Sequence, residues 1–251
     1  MTGFTALLRK ELLEIVSTWR VWVVGGLLLG MAVLSALTGR YQKELIGSLL
    51  AAGIQITLPD PTWADSFAQW AKNLTEIGLL MVVLTTGGLI SAERSQGSLV
   101  LVLTKPVSRT AYVVAKFLAQ AGFLAVATAL AAGAELALTA ALFPAVEAGP
   151  VIAVTGAWLV LAMLLMACTL VGSAGLDRGL AAAGTGLAGL VVLLVLGLWE
   201  PATRYSPAGL YQAVGALAAG GQVSAWLVVT GLVATAVLVA AAAGVMSRRE
   251  V

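Results

Sequence analysis

Six apolar stretches constrain this chain more than any other feature: roughly 21–38, 74–90, 113–134, 151–172, 180–198 and 223–246. A helix needs about 20 apolar residues to cross the ~30 Å hydrocarbon core of a bilayer. The fifth stretch is rich in glycine (Gly184, Gly186, Gly189, Gly197) but holds no charge and no proline. The first is too long for a signal peptide, and no small-x-small cleavage site follows it, so it reads as a permanent span. Composition agrees. Charged residues make up 10% of the chain and hydrophobic ones 60%, whereas a soluble domain carries about 25% charged residues. The expected fold is an all-α polytopic membrane domain of six transmembrane helices filling residues 1–251.

Basic residues orient the spans, because short cytoplasmic loops hold an excess of Lys and Arg. With the N-terminus inside, the internal set is Arg9, Lys10, Arg20, Arg94, Lys105, Arg109, Lys116, Arg178, Arg248 and Arg249. The external set is Arg40, Lys43, Lys72 and Arg204. Flipping the chain or dropping a span weakens that bias, so both ends are expected on the cytoplasmic side. Aromatic residues mark the same borders, with Trp19, Trp22 and Tyr112 at inner ends and Tyr41, Phe143, Trp199 and Trp226 at outer ends.

Four segments are patterned without spanning. Residues Phe4–Ser17 suggest an amphipathic helix, with Phe4, Leu8, Leu12, Ile15 and Trp19 on one face and Arg9, Lys10, Glu14 and Ser17 on the other. Such a helix lies along the inner leaflet as an anchor or touches a cytoplasmic partner. Before span two, Asp60 suits an N-cap and Pro61 the first helical position. Trp63, Phe67, Trp70 and Leu74 then form a stripe, read first as an interfacial anchor and second, with Tyr211, as part of an outer gate. Residues 200–222 repeat the design: Ser206 caps, Pro207 begins, Gly220-Gly221 stop, and Leu210, Val214 and Leu217 form an apolar face. They are too short to cross, so a re-entrant or interfacial helix is expected.

The fourth segment is the internal loop 91–110. Glu93 follows span two, Gly97 offers a break, Leu99–Leu103 is an apolar run outside the membrane, and Pro106 ends it. An apolar run flanked by charges suggests docking into another protein; the blander reading folds it onto the membrane surface.

At this loop the chain resembles the membrane permeases of ABC transporters of the type-2 exporter family. The shared pattern is Glu93, Gly97-Ser98-Leu99, Leu103-Thr104-Lys105-Pro106-Val107-Ser108-Arg109 and Lys116. The Leu8-Arg9-Lys10-Glu11-Leu12 elbow and the two Pro-capped helices before spans two and six are similar to that family as well. The resemblance implies a half-transporter of the bacterial cytoplasmic (inner) membrane that works with a second copy or a paired permease and two ATPase subunits. ATP and Mg²⁺ would then bind the ATPase, with no cofactor on this chain and no nucleic-acid partner. Glu93, Arg94, Gly97, Ser98, Leu99, Lys105, Pro106 and Arg109 would form the coupling contact with the ATPase. The elbow residues Arg9, Lys10, Glu11 and Glu14 would sit beside it.

Exclusions sharpen this. A phosphate-binding loop needs Gly-Lys-Ser/Thr, and none of the five lysines (Lys10, Lys43, Lys72, Lys105, Lys116) follows a glycine. With no histidine and Cys168 alone, a disulfide within the chain, a histidine–cysteine metal site and a thiol–histidine pair are ruled out. An enzyme would need paired carboxylates or a nucleophile with its base at membrane depth, and none is visible. An ion-gradient-driven secondary transporter, the alternative function, would want ionisable midplane sites; Glu135 is the intramembrane acidic candidate, read as interfacial or pore-lining. Asp177 and Arg178 read as a solvated pair. Gly26 and Gly30, and Gly186 and Gly189, allow close helix approach at a subunit interface. A mostly apolar pathway would suit lipids, amphipathic peptides or hydrophobic antibiotics.

Overall fold

The computed structural model describes residues 3–49, 59–97 and 108–249. Among them all regular structure is helical, as the bilayer requires: with no water to satisfy N–H and C=O groups, the backbone must bond to itself. Helix α1 (Gly3–Ser17) precedes α2 (Trp19–Leu49). Span two is a continuous rod built from α3 (Trp63–Asn73), a π turn (Leu74–Gly78) and α4 (Leu79–Thr86). A short α5 (Ser91–Ser95) follows, then α6 (Arg109–Leu142), α7 (Ala148–Gly175) and α8 (Gly179–Leu196). The short α9 (Glu200–Tyr205), a 3₁₀ turn (Pro207–Gly209) and α10 (Leu210–Ala218) lead to α11 (Ala225–Arg248). Among the described residues six helices are long and apolar enough to cross a membrane, so the chain is a multi-pass membrane protein.

The helices outrun the apolar stretches. α2 continues to residue 49, span two begins at Trp63 rather than 74, and α6 reaches from 109 to 142. Hydropathy marks only the lipid-bathed part, while the hydrogen-bonded ladder continues into polar sequence such as Arg40-Tyr41-Gln42-Lys43. A kink at Tyr41 (φ −103°, ψ 16°) marks that passage.

α7 is the hub. It packs against α4, α8, α10 and α11, and its Trp158, Leu161, Leu165 and Met166 are fully buried. Trp158 Nε1 donates to the Leu74 carbonyl at 2.7 Å, and Trp70 Nε1 donates to Thr155 Oγ1 at 3.2 Å. The π turn holds Leu74 in place to receive that indole; such single-turn bulges often occur at functional sites.

Small residues bring spans together inside the subunit. A β-carbon on Gly186 would collide with Thr169 and Val83, and one on Gly189 would press on Cys168. These glycines therefore serve contacts within the chain rather than the subunit interface expected of them, whereas Gly26 and Gly30 face open space.

The caps differ in one place from expectation. The N-cap of α3 is Thr62, whose backbone N–H (2.7 Å) and hydroxyl (2.9 Å) both donate to Asp65. Asp60 turns away to accept from Lys43 at 2.9 Å, which holds its carboxyl below the usual range. Two successive prolines flank Asp60, so the helix starts after the second of them. Ser206 does cap, accepting from the Ala208 N–H at 3.3 Å, with Pro207 at the first position. Gly220, at φ +76°, ends α10 as a left-handed cap.

Candidate functional site

The charged residues converge at the end of the bundle that holds both termini. Ser173 of α7 sets the position of α5: its hydroxyl accepts from the Ile90 and Ser91 N–H groups at 2.9 and 3.1 Å. Successive residues on a helix point about 100° apart, so Glu93 and Arg94 leave α5 toward different neighbours.

Glu93 is the centre of the first cluster. Its Oε1 accepts from Lys10 Nζ at 2.9 Å and Lys116 Nζ at 2.7 Å, and its Oε2 from the Tyr112 hydroxyl at 2.5 Å. Glu11 accepts from the same two lysines at 3.0 and 2.8 Å, and Glu14 closes the group on Lys10 at 2.8 Å. Tyr112 and Lys116 share one face of α6 at i, i+4, and Lys10 and Glu14 do the same on α1. The Lys116 side chain keeps 2% of its surface exposed, Glu11 6% and Glu93 11%. Burial pulls the Lys10 ammonium down, but hydrogen bonds to Glu14, Glu93 and Glu11 outweigh that and hold it above the ordinary lysine range. Three carboxylates this close would suit a metal ion, yet the two ammonium groups already fill the space between them.

Arg94 builds the second cluster. Its guanidinium donates to the carbonyls of Ala174 (2.7 Å) and Leu176 (3.3 Å) and to Asp177 (3.2 Å), in the turn between α7 and α8. Arg249 joins Asp177 at 2.7 Å. These bonds, Arg249 first and then Arg94, keep the Asp177 carboxyl below its usual range. Arg109, at the other end of the loop, donates to the carbonyls of Met246, Ser247 and Arg249 and so caps α11.

Several expected roles change. Glu93 and Arg94 are engaged within the subunit, so neither is a free contact for another protein; opposite charges one residue apart found partners on both sides. α1 turns the inner face of Leu7, Glu11 and Ile15 to the bundle and leaves Leu12, Leu13 and Val16 exposed, as is Trp19 at the start of α2, because Glu11 and Lys10 are drawn in by Glu93 and Lys116. Arg9 is exposed. Asp177 pairs with Arg94 and Arg249 rather than with Arg178, which is exposed. Gly97 is exposed at φ +72°, the left-handed cap that ends α5. Ser98, Leu99, Lys105 and Pro106 lie outside the described residues.

At the opposite end Phe67 and Trp70 are fully buried, so they are packing residues of the bundle rather than lipid anchors; Trp63 and Tyr211 are partly exposed. Glu135 is fully buried, with Thr139 donating to its Oε1 at 3.2 Å. α6 continues two further turns beyond it, to Leu142. Two roles escaped the sequence reading. Tyr112 stood there only as a border aromatic, though its i, i+4 spacing to Lys116 signalled a shared face. Glu76, inside the second apolar stretch, is exposed.

Comparison with known proteins agrees with this architecture. The family described as "ABC-2 family transporter protein" matches residues 5–204. The chain is similar to the uncharacterized transmembrane protein YxlG of Bacillus subtilis (strain 168), 28% identical over 127 residues. That stretch covers 48% of this chain and 47% of the relative, so the chain spans about half the length of the curated relative it matches.

Proposed function

Because the chain belongs to the ABC-2 family of transporter proteins, we propose that it is the permease subunit of an ATP-driven exporter, moved through the loop between α5 and α6. In this reading the end with both termini is cytoplasmic in a bacterial inner membrane. Two ATPase subunits bind there, carrying ATP and Mg²⁺, and a second permease completes the pathway.

One observation supports the proposal: the adjacent pair Glu93–Arg94 at the end of span two, with Arg109 beyond the loop, bonds to α1, α6, the α7–α8 turn and the end of α11. Glu93 reaches α1, which leads into span one, and α6. Arg94 reaches the turn joining α7 to α8 and, with Asp177 and Arg249, the end of α11. Both residues extend span two itself. A push on the loop from a closing ATPase pair is therefore delivered to all six helices as a rigid displacement, since buried charge clusters have discrete arrangements rather than soft ones. The apolar residues of α1 left exposed, Leu12, Leu13 and Val16, offer a second surface beside the loop for lipid or the ATPase.

The test is reconstitution with a partner ABC-type ATPase. Glu93→Gln and Arg94→Gln are expected to leave the complex assembled while ATP hydrolysis no longer responds to cargo. Unchanged coupling in both variants would overturn the assignment.

A further inference from the structure

Span two carries an exposed carboxylate well inside the bilayer. Gly39 of α2 packs against Ser66, and the Arg20 guanidinium lies beside Gly88, which sets spans one and two in register. Arg20 and Arg40 stand about 30 Å apart along α2 at 1.5 Å per residue, the thickness of the hydrocarbon core. Glu76 is twelve residues outward of Gly88 and ten inward of Ser66, about 18 and 15 Å along the helix.

Ionisable side chains at that depth almost always face a bundle interior or a water-filled cavity. Glu76 faces outward from its own bundle. No ion pair among the described residues includes it or Lys72, one turn further out. Lys before Glu at i, i+4 is also the weaker order for a pair along a helix. Next to this face lies a cavity of about 320 Å³ between α3 and α10, lined by Lys72, Thr75, Tyr211 and Gln212 over a floor of Ala68 and Ala71. α10 is held over it by the Gln212 amide, which donates to the Gly197 carbonyl at 2.9 Å.

We infer that Lys72, Thr75 and Glu76, with the cavity beneath α10, line a water-filled permeation path, and that Glu76 receives the cationic group of an amphipathic cargo. The cargo class rests on the transporter reading above. The Ala68, Ala71 and Tyr211 side chains lining the cavity suit an apolar body, and the carboxylate suits an amine or quaternary ammonium. This adds one charged group to the mostly apolar pathway expected from composition.

The path is tested without cargo or ATPase, so loss of coupling and loss of this inference are separable. In the full chain carrying Cys168→Ser and reconstituted in liposomes, Thr75→Cys is labelled with cationic and anionic water-borne methanethiosulfonates. Val233→Cys, on an exposed face of α11, serves as the lipid-facing control, and rates are normalised to those of a free thiol. Thr75→Cys should react at least roughly tenfold faster than the control. Adding Glu76→Gln should lower its cation-to-anion rate ratio roughly tenfold, the scale of electrostatic focusing in a cleft, whereas Glu76→Asp should preserve it. Labelling no faster than the control overturns the path. A ratio indifferent to Glu76→Gln overturns the cation site.

Discussion

At the end with both termini, Lys116 and Glu93 are buried and each meets several partners; in the half of span two away from that end, Glu76 is exposed and enters no ion pair among the described residues. The first region concentrates charge where it is mutually satisfied, and satisfied networks hold helices in fixed relation. The second is held together by indoles, Trp158 on Leu74 and Trp70 on Thr155, and leaves its charges to the surface. In the proposed reading the first region would be a rigid input and the second a wall of the path for passage. The proposal also accounts for the bonding of Glu93 and Arg94 within the subunit: a loop that transmits force would have to be fastened to what it moves.

The comparison can be broken most severely at Lys116. Lys116→Met leaves Glu11 and Glu93 with one ammonium fewer in a buried site, a loss of about 3–5 kcal/mol. Thermal unfolding in nanodiscs should show it, and adding Glu93→Gln should restore part of the loss. Tyr112→Phe removes one hydrogen bond to a charged acceptor and should cost about 1.5–3 kcal/mol in the same assay. At the other end, Trp158→Phe removes the indole donor to Leu74, whose carbonyl still accepts from Leu79. About 1 kcal/mol is expected, with the π turn relaxing toward regular helix in hydrogen exchange. If Trp158→Phe cost more than Lys116→Met, the charge network would not be the firmer region.

The smallest effect is a pH dependence at Asp177. Its folded-state value is depressed, so its tie to Arg249 and Arg94 is fully present above the ordinary aspartate value and is lost as pH falls through the depressed one. Acid should therefore loosen the α7–α8 turn, seen as faster exchange there, and Asp177→Asn should abolish that response. Lys10 has the opposite sign: raised in the fold, its contribution is complete below the ordinary lysine value and fades only in strong alkali.

Much of the fold was legible because its signals are local. Apolar runs of span length, Ser206-Pro207 at a helix start and Gly97 and Gly220 at helix ends each act within a few residues. The site was legible in its members but not in its pairings. Lys10, Glu11, Glu93 and Lys116 stood out, yet nothing in their spacing says that residues 83 and 105 apart in sequence share protons. Glu76 was passed over in the sequence for a physical reason. Helix ends set depth, and hydropathy misses the polar turns by which α3 and α6 extend.

The sequence by itself determined that this chain crosses a membrane six times, which side its basic residues favour and that it has no phosphate-binding loop of its own. Those are properties of composition and short patterns, fixed by the cost of placing charge and backbone in lipid. Only the tertiary structure decided that Glu93 faces Lys10 and Lys116 while Arg94 faces Asp177, that Phe67 and Trp70 are enclosed, and that Glu76 is not. Those outcomes depend on helix rotation and register, which packing against α7 sets and no single segment encodes.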